Sequence, residues 1–266
     1  MTGISLWSIL LILLIIILPS YYFISTYINR GKSSSPYTMN NHLITNTMNN
    51  HLITKFVKYI LYGLIAVSFI NISSNIMQIN LLNDYFVKDL YSEDTFNILA
   101  DNNDSRVAFV NAVFFILIVS SYIIIGRWFY ISAEINHLLG IKELNITPGW
   151  AIGWYFIPFA NLVMPYLSLK ETYKASFNSE DWQNTTIPYD FPIWWTTFLV
   201  GNGLGNLSYS MYSNLGETYT YEKLIQISYI DISSDTLLII NAFFLLRIVD
   251  TIFNNHKDVN FEMKKV

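Results

Sequence analysis

Cysteine is absent from the chain. That excludes a disulfide framework, a thiolate metal site, a Cys nucleophile and an iron–sulfur cluster. Charge is also scarce. Only 13% of the 266 residues are Asp, Glu, Lys or Arg, about half the usual share in a soluble domain. There are 15 basic residues against 19 acidic ones, for a net charge of −4, so nucleic acid is not an expected partner. H-E-x-x-H, G-x-S-x-G and P-loop patterns are missing, and no spacing assembles a nucleophile with a base. No catalytic residue, metal ligand set or cofactor is therefore expected. What remains is apolar: 53% hydrophobic, 17% aromatic, mean hydropathy +0.36. This composition excludes both disorder and an ordinary water-soluble globule.

A bilayer core about 30 Å thick is crossed by roughly 20 apolar helical residues. Five charge-free runs have about that length: Met1–Asn29, Tyr59–Asn83, Val107–Gly126, Leu144–Leu169 and Phe191–Gly216. A sixth, Thr236–Phe253, contains Arg247 and Asp250. No basic residue precedes the first run and no small-x-small site follows it, so it reads as a retained anchor rather than a cleaved signal.

Lys and Arg collect in cytoplasmic loops, and that bias discriminates between two threadings. Six crossings with the N-terminus outside put seven basic residues inside and eight outside, which is no bias. If the fourth run enters and leaves by one face, twelve fall inside and only Lys88, Arg106 and Lys223 outside. The residues of the fourth run agree. Pro158 and Pro165 each remove a backbone donor, and Gly149 and Gly153 weaken its start. The expected fold is thus an all-α polytopic transmembrane bundle with five crossings plus a Trp/Pro-rich re-entrant or interfacial helical hairpin. The alternative is six crossings. The N-terminus would lie outside and the C-terminus inside a bacterial cytoplasmic membrane. The composition, rich in Asn, Ile, Tyr and Phe, suggests an AT-rich bacterial genome. The expected parts are an anchor (1–28), a polar linker (29–55), a transmembrane domain (56–255) and a polar tail (256–266).

The linker holds a direct duplication, TMNNHLITN at Thr38–Asn46 and TMNNHLITK at Thr47–Lys55. His42 and His51 suggest a metal pair, but slippage in a polar segment explains the repeat more simply.

The densest motif is TPGWAIGWYFIPFANLVMPYLSLKETYKAS, Thr147–Ser176. Trp150, Trp154 and Tyr155 are amphipathic rings that settle at headgroup depth. Pro158 and Pro165 suit first turns of short helices. The Asn161 amide lies between them, placed to bond the carbonyls they free. Glu171 and Lys174 follow, three apart on one helix face. The block reads either as a binding hairpin or as a structural wedge at the interface.

Inside the other runs, Asn71, Asn75 and Gln78 share a helix face. Asn111, Ser120, Ser121, Asn202, Asn206 and Asn241 are further polar insertions. Helix-to-helix hydrogen bonds are their usual use. Arg247 and Asp250, three apart, are placed to pair with each other. Gly201 and Gly205 have the spacing that lets helices approach closely. Asp101–Asp104 reads as a solvated acidic loop.

Pro148, Gly149, Trp150, Gly153, Trp154, Phe156, Pro158, Asn161, Leu162, Pro165, Tyr166, Glu171, Ala175 and Ser176, then Trp182 and the pair Trp194–Trp195, resemble the hallmark of the bacterial membrane proteins catalogued as domain of unknown function 4328. Trp128 and Asn136 match an upstream feature. Ile131 stands where the family carries Arg, and Met164 replaces a basic residue. The resemblance covers about residues 56–255 and implies a multi-pass membrane protein without an assigned activity.

The expected role is a non-enzymatic scaffold, sensor or accessory subunit acting through the hairpin block. The alternatives are a small-solute or ion transporter or channel, and a lipid-modifying enzyme using Glu171, Asp190 or His137. Expected partners are the lipid bilayer and either another membrane protein or a second copy of the chain.

Overall fold

The structure is a computed structural model that describes residues 36–177, 180–216 and 220–263, without the side chains of 36–44, 46–48 and 258–263. The anchor expected at 1–28 and the side chain of His42 lie outside these. The chain divides into two units, Met1–Thr45 and Asn46–Val266. The second contains the core and the candidate site.

The described residues are helical, with no strand among them. In chain order the helices are α1 (Pro36–Phe86), α2 (Glu93–Leu138), a single turn α3 (Trp150–Gly153), α4 (Met164–Ala175), α5 (Asp190–Ser213) and α6 (Tyr221–Met263). Short 3-10 turns cover Trp154–Phe156, Ala160–Leu162 and Trp182–Asn184. Three helices, α1, α2 and α6, are long and apolar enough to cross a membrane. Large apolar side chains on their outer surfaces are exposed, among them Phe69, Phe109, Phe115, Ile116 and Phe243. Such surface is rare on a soluble monomer and marks contact with lipid or protein. The fifth run forms α5, 24 residues long, but it is not among the three. Thr196, Thr197, Asn202, Asn206, Ser208 and Ser210 dilute its apolar character.

The ends of α2 follow from local chemistry. Ser92, extended at φ −68° and ψ 157°, accepts from the Thr95 backbone N–H with its hydroxyl, and Glu93 and Asp94 occupy the first turn. Both features satisfy the positive, donor-rich helix start. At the other end Gly140 takes φ +74°. Its N–H bonds the His137 carbonyl at 3.1 Å and the Ile141 N–H bonds that of Asn136 at 3.3 Å. This is the two-bond cap that glycine permits at low cost.

The fourth run is not one helix. After α3 and a 3-10 turn, the Ala160 N–H bonds the Pro158 carbonyl at 2.8 Å, with Phe159 at φ 63° and ψ −41°. This is a γ-turn of the strained, positive-φ kind. Pro158 therefore sits in a turn and not in a first helical turn, whereas Pro165 does occupy the start of α4. With 12 residues, α4 is about 18 Å long, short of a crossing.

The core joins Val57 and Leu61 of α1, Trp128 of α2, Leu169 of α4, Phe191 and Trp194 of α5, and Ile248 and Ile252 of α6. α5 and α6 pair extensively. Gly201 lies at this contact, where an added Cβ would just touch the Leu237 Cβ at 3.4 Å. The Ser234 hydroxyl donates to the Gly201 carbonyl at 3.1 Å.

One expectation is corrected, and the expected linker and tail prove to carry helix. From Pro36 onward the expected linker is helical. Its second repeat enters the core: Asn50 and Thr54 are buried, whereas Thr45, the first-repeat counterpart of Thr54, is exposed. The reason is the hydrogen bond from the Trp128 indole to the Thr54 hydroxyl at 2.9 Å, with Thr54 donating in turn to Asn50. Asp101–Asp104 lies inside α2, not in a loop. The expected polar tail is helical to Met263, and its first residue, His256, is buried.

Candidate functional site

The Trp/Pro block is held together by one carboxylate. Glu171, in the middle of α4, accepts from the Asn145 backbone N–H at 3.1 Å, the Asn145 side-chain amide at 3.1 Å and the Ile146 backbone N–H at 2.9 Å. Three donors on one ionised group make strong, directional bonds. His137 adds a bond to the Ile146 carbonyl at 3.0 Å. The loop leading into the hairpin is thereby fixed to α4 and to the end of α2.

A second strap comes from the segment before α5. Trp182 is buried and its indole donates to the Lys142 carbonyl at 3.0 Å. Lys174 donates to the Gln183 carbonyl at 2.6 Å, and Gln183 donates to Glu143 at 2.8 Å. Glu143 takes φ 61° to make this turn.

Trp150 and Trp154 stack, with ring centroids 4.5 Å apart. Gly153 lies beneath them, where a Cβ would meet the Trp150 Cε3 at 2.9 Å, so the stack requires glycine. The far arm of the hairpin is pinned by the Trp195 indole, which donates to the Leu162 carbonyl at 2.9 Å. The neighbouring Trp194 carbonyl accepts from the Asn241 amide of α6 at 2.7 Å. Tyr166 meets Phe191 edge to face at 6.3 Å. Burial, and secondarily the charge of Asp190, pushes the Tyr173 phenol up. The Asn161 side chain makes no hydrogen bond among the described residues. Its backbone N–H takes the Ile157 carbonyl at 3.0 Å instead.

Between α3, α4 and the Trp182–Asn184 turn lies an open cleft of about 430 Å³. Trp150, Trp154, Met164, Lys170, Glu171 and Lys174 line it. The structure thus brings the two ends of the block to one concave face, while Pro158 and Asn161, from its middle, are not among the lining residues.

Two polar groups lie inside the bundle, and the sequence named only some of their members. Asn136 donates to the Thr172 carbonyl at 3.0 Å and accepts at its Oδ1 from His256 at 2.8 Å. Asn255 donates to Ser176 at 2.9 Å. These bonds tie α2, α4 and α6 together. Only Asn136 and Ser176 had been singled out, through the family resemblance. The other group is a seam through α1, α2 and α6. Asn71 donates to Asp235 at 2.8 Å and Gln78 to Ser228 at 3.2 Å. Arg106 bonds the Ser74 carbonyl at 3.0 Å and Asn103 at 2.6 Å. Asn75 bonds only the Asn71 carbonyl of its own helix, at 3.1 Å. Arg247 and Asp250 do not pair with each other. Arg247 faces Asp190 at 3.4 Å and the ring of Tyr189, while Asp250 pairs with Lys58 of α1. Each side chain reaches a different neighbouring helix, so cross-helix ion pairs replace the local one.

Fold and site together define an all-helical protein with membrane-compatible helices, tied at one end by a Trp/Pro block. The chain belongs to the family described as Domain of unknown function (DUF4328), whose model matches residues 96–254. No curated protein and no solved structure matches the chain.

Proposed function

We propose that the protein is a multi-pass protein of the bacterial cytoplasmic membrane, acting without catalysis as a scaffold, sensor or accessory subunit. Its working surface is the Trp/Pro block at the inner face. Five crossings with the N-terminus outside and a hairpin that returns to the inner face account for the twelve-to-three distribution of basic residues. The hairpin end supports this placement. Phe156 and Phe159 are 70% and 85% exposed, with Leu162 and Val163 exposed beside them, an apolar tip suited to lipid.

One observation carries the functional reading. Glu171, Trp182, Lys174 and Trp195 all bond backbone carbonyls or N–H groups of neighbouring segments. They build a rigid face rather than a reacting centre. Of the residues considered for lipid chemistry, Glu171 and His137 hold the same loop while Asp190 faces Arg247. The test is co-purification in mild detergent. A stoichiometric membrane-protein partner or a second copy should accompany the wild-type chain and be lost with Trp154→Ala. A chain recovered alone under all mild conditions contradicts the proposal.

A second reading, a transporter or channel, rests on the seam of Asn71, Asp235, Gln78, Ser228 and Arg106. Ionisable groups within spanning helices often mark ion paths. Liposomes that carry the protein and show no flux of ions or small solutes would remove it.

A further inference from the structure

We propose that the cleft between α3 and α4 binds a phosphate-bearing anionic head, with Lys170, Lys174 and the Trp154 indole N–H as its donors. The proposal rests on the membrane placement above and names the ligand class of the same face.

The charge of the cleft comes from three side chains: Lys170, Glu171 and Lys174. Two ammonium groups against one carboxylate leave the cleft net positive, and the oxygens of Glu171 are already occupied by three N–H groups of Asn145 and Ile146. Lys170 has no hydrogen bond or ion pair among the described residues. Lys174 gives one hydrogen to the Gln183 carbonyl and keeps two, since an ammonium carries three donors. The Trp154 Nε1 is buried and has no hydrogen-bond partner. A buried indole donor normally finds an acceptor, and the Trp154 ring lines the cleft, so a small shift of that ring on binding would offer its N–H to a ligand oxygen.

Two ammonium donors from α4 and an indole donor from the turn after α3 suit a group with several tetrahedral oxygens. Lysine binds phosphate as a point charge and needs no planar match. One part of the lining, Trp150, Met164 and Leu167, is apolar and suits a glycerol or upper acyl segment, while Asn145 and Gln183 keep another part polar. Position adds the last argument. The exposed tip from Phe156 to Val163 is carried by the two elements that wall the cleft. With that tip in lipid, the cleft lies at the water boundary, where headgroups are. A choline head is disfavoured there because two lysines would repel its cation.

The shared chemistry is a phosphate monoanion or dianion, from either a glycerophospholipid or a free phosphate compound. Native mass spectrometry of the full chain in detergent, with phosphatidylglycerol, phosphatidylcholine, glycerol 3-phosphate or inorganic phosphate added, separates the sources. Phosphatidylglycerol should bind about tenfold or more tightly than phosphatidylcholine. The double variant Lys170→Gln/Lys174→Gln should abolish the difference while keeping the helical circular-dichroism signal. Glycerol 3-phosphate binding as tightly as the lipid would assign the cleft to a soluble phosphate compound. Trp154→Phe keeps a ring and removes the N–H. It should weaken binding several-fold, and it serves as the test if the double variant does not fold.

Equal binding of the two lipids, or lysine-independent binding of phosphatidylglycerol, overturns the proposal. Alkaline washing of membranes keeps the two levels apart. A chain that resists extraction but shows no lysine-dependent binding loses this site alone. A chain that is washed off yet binds glycerol 3-phosphate through the lysines loses the membrane placement alone.

Discussion

Asn145 presents both its backbone N–H and its side-chain amide to one oxygen of Glu171, each at 3.1 Å. The other oxygen takes the next backbone N–H, of Ile146, at 2.9 Å. A single carboxylate therefore fixes where the chain turns into the hairpin with three bonds, against one from His137 to the Ile146 carbonyl. Replacing Glu171 by Gln removes the charge and turns one acceptor into a donor facing a donor. The expected cost is about 1–3 kcal/mol, with faster hydrogen exchange at the Asn145 and Ile146 amides. Unchanged exchange at both would show that the carboxylate does not hold the loop.

Gly153→Ala and Gly140→Ala should differ in kind. The first drives a Cβ against the Trp150 ring, 2.9 Å away. The stack with Trp154 should open, changing the near-ultraviolet circular dichroism. At Gly140 a Cβ meets nothing within 4 Å, but φ is +74°. That variant should cost about 1–2 kcal/mol through backbone strain alone, with the aromatic signal intact.

The two copies of the nine-residue repeat are predicted to be unequal. Deleting Thr38–Asn46 leaves the second copy and Lys55 in register with the core, so thermal unfolding should be unchanged. Thr54→Val removes the acceptor of the Trp128 indole. Both residues are buried, at 2% and 0% exposure, so an unsatisfied N–H should cost about 1–3 kcal/mol. A Thr54→Val protein as stable as wild type would contradict that.

Lys58–Asp250 and Arg247–Asp190 are expected to act as separate cross-helix pairs. Double-mutant cycles should give a coupling energy within each pair and none between Arg247 and Asp250. Coupling between Arg247 and Asp250 would restore the local pair.

The apolar runs starting at Tyr59, Val107 and Thr236, the break at Pro158 and Pro165 and the helix contact at Gly201 were legible in the sequence, because each depends on neighbours along the chain. Long-range partners were not. Thr54 reads as one more polar linker residue until Trp128 is placed against it. His256 looks solitary because Asn136 lies 120 residues away. Arg247 and Asp250 invite a local pair by spacing, yet partners on α5 and α1 win. Asn161, placed by its neighbours to bond freed carbonyls with its amide, uses its backbone N–H instead. The helical linker escaped notice because polar, amide-rich residues mark loops as readily as helix faces buried by other helices.

The placement of the hairpin is tested most directly by labelling single cysteines from each side of intact membranes. The chain contains no cysteine of its own, so Lys174→Cys, Lys257→Cys and Lys88→Cys can each be read alone. A hairpin that returns to the inner face predicts that positions 174 and 257 react from the cytoplasmic side and position 88 only from the other. Labelling of 174 and 257 from opposite faces would contradict it.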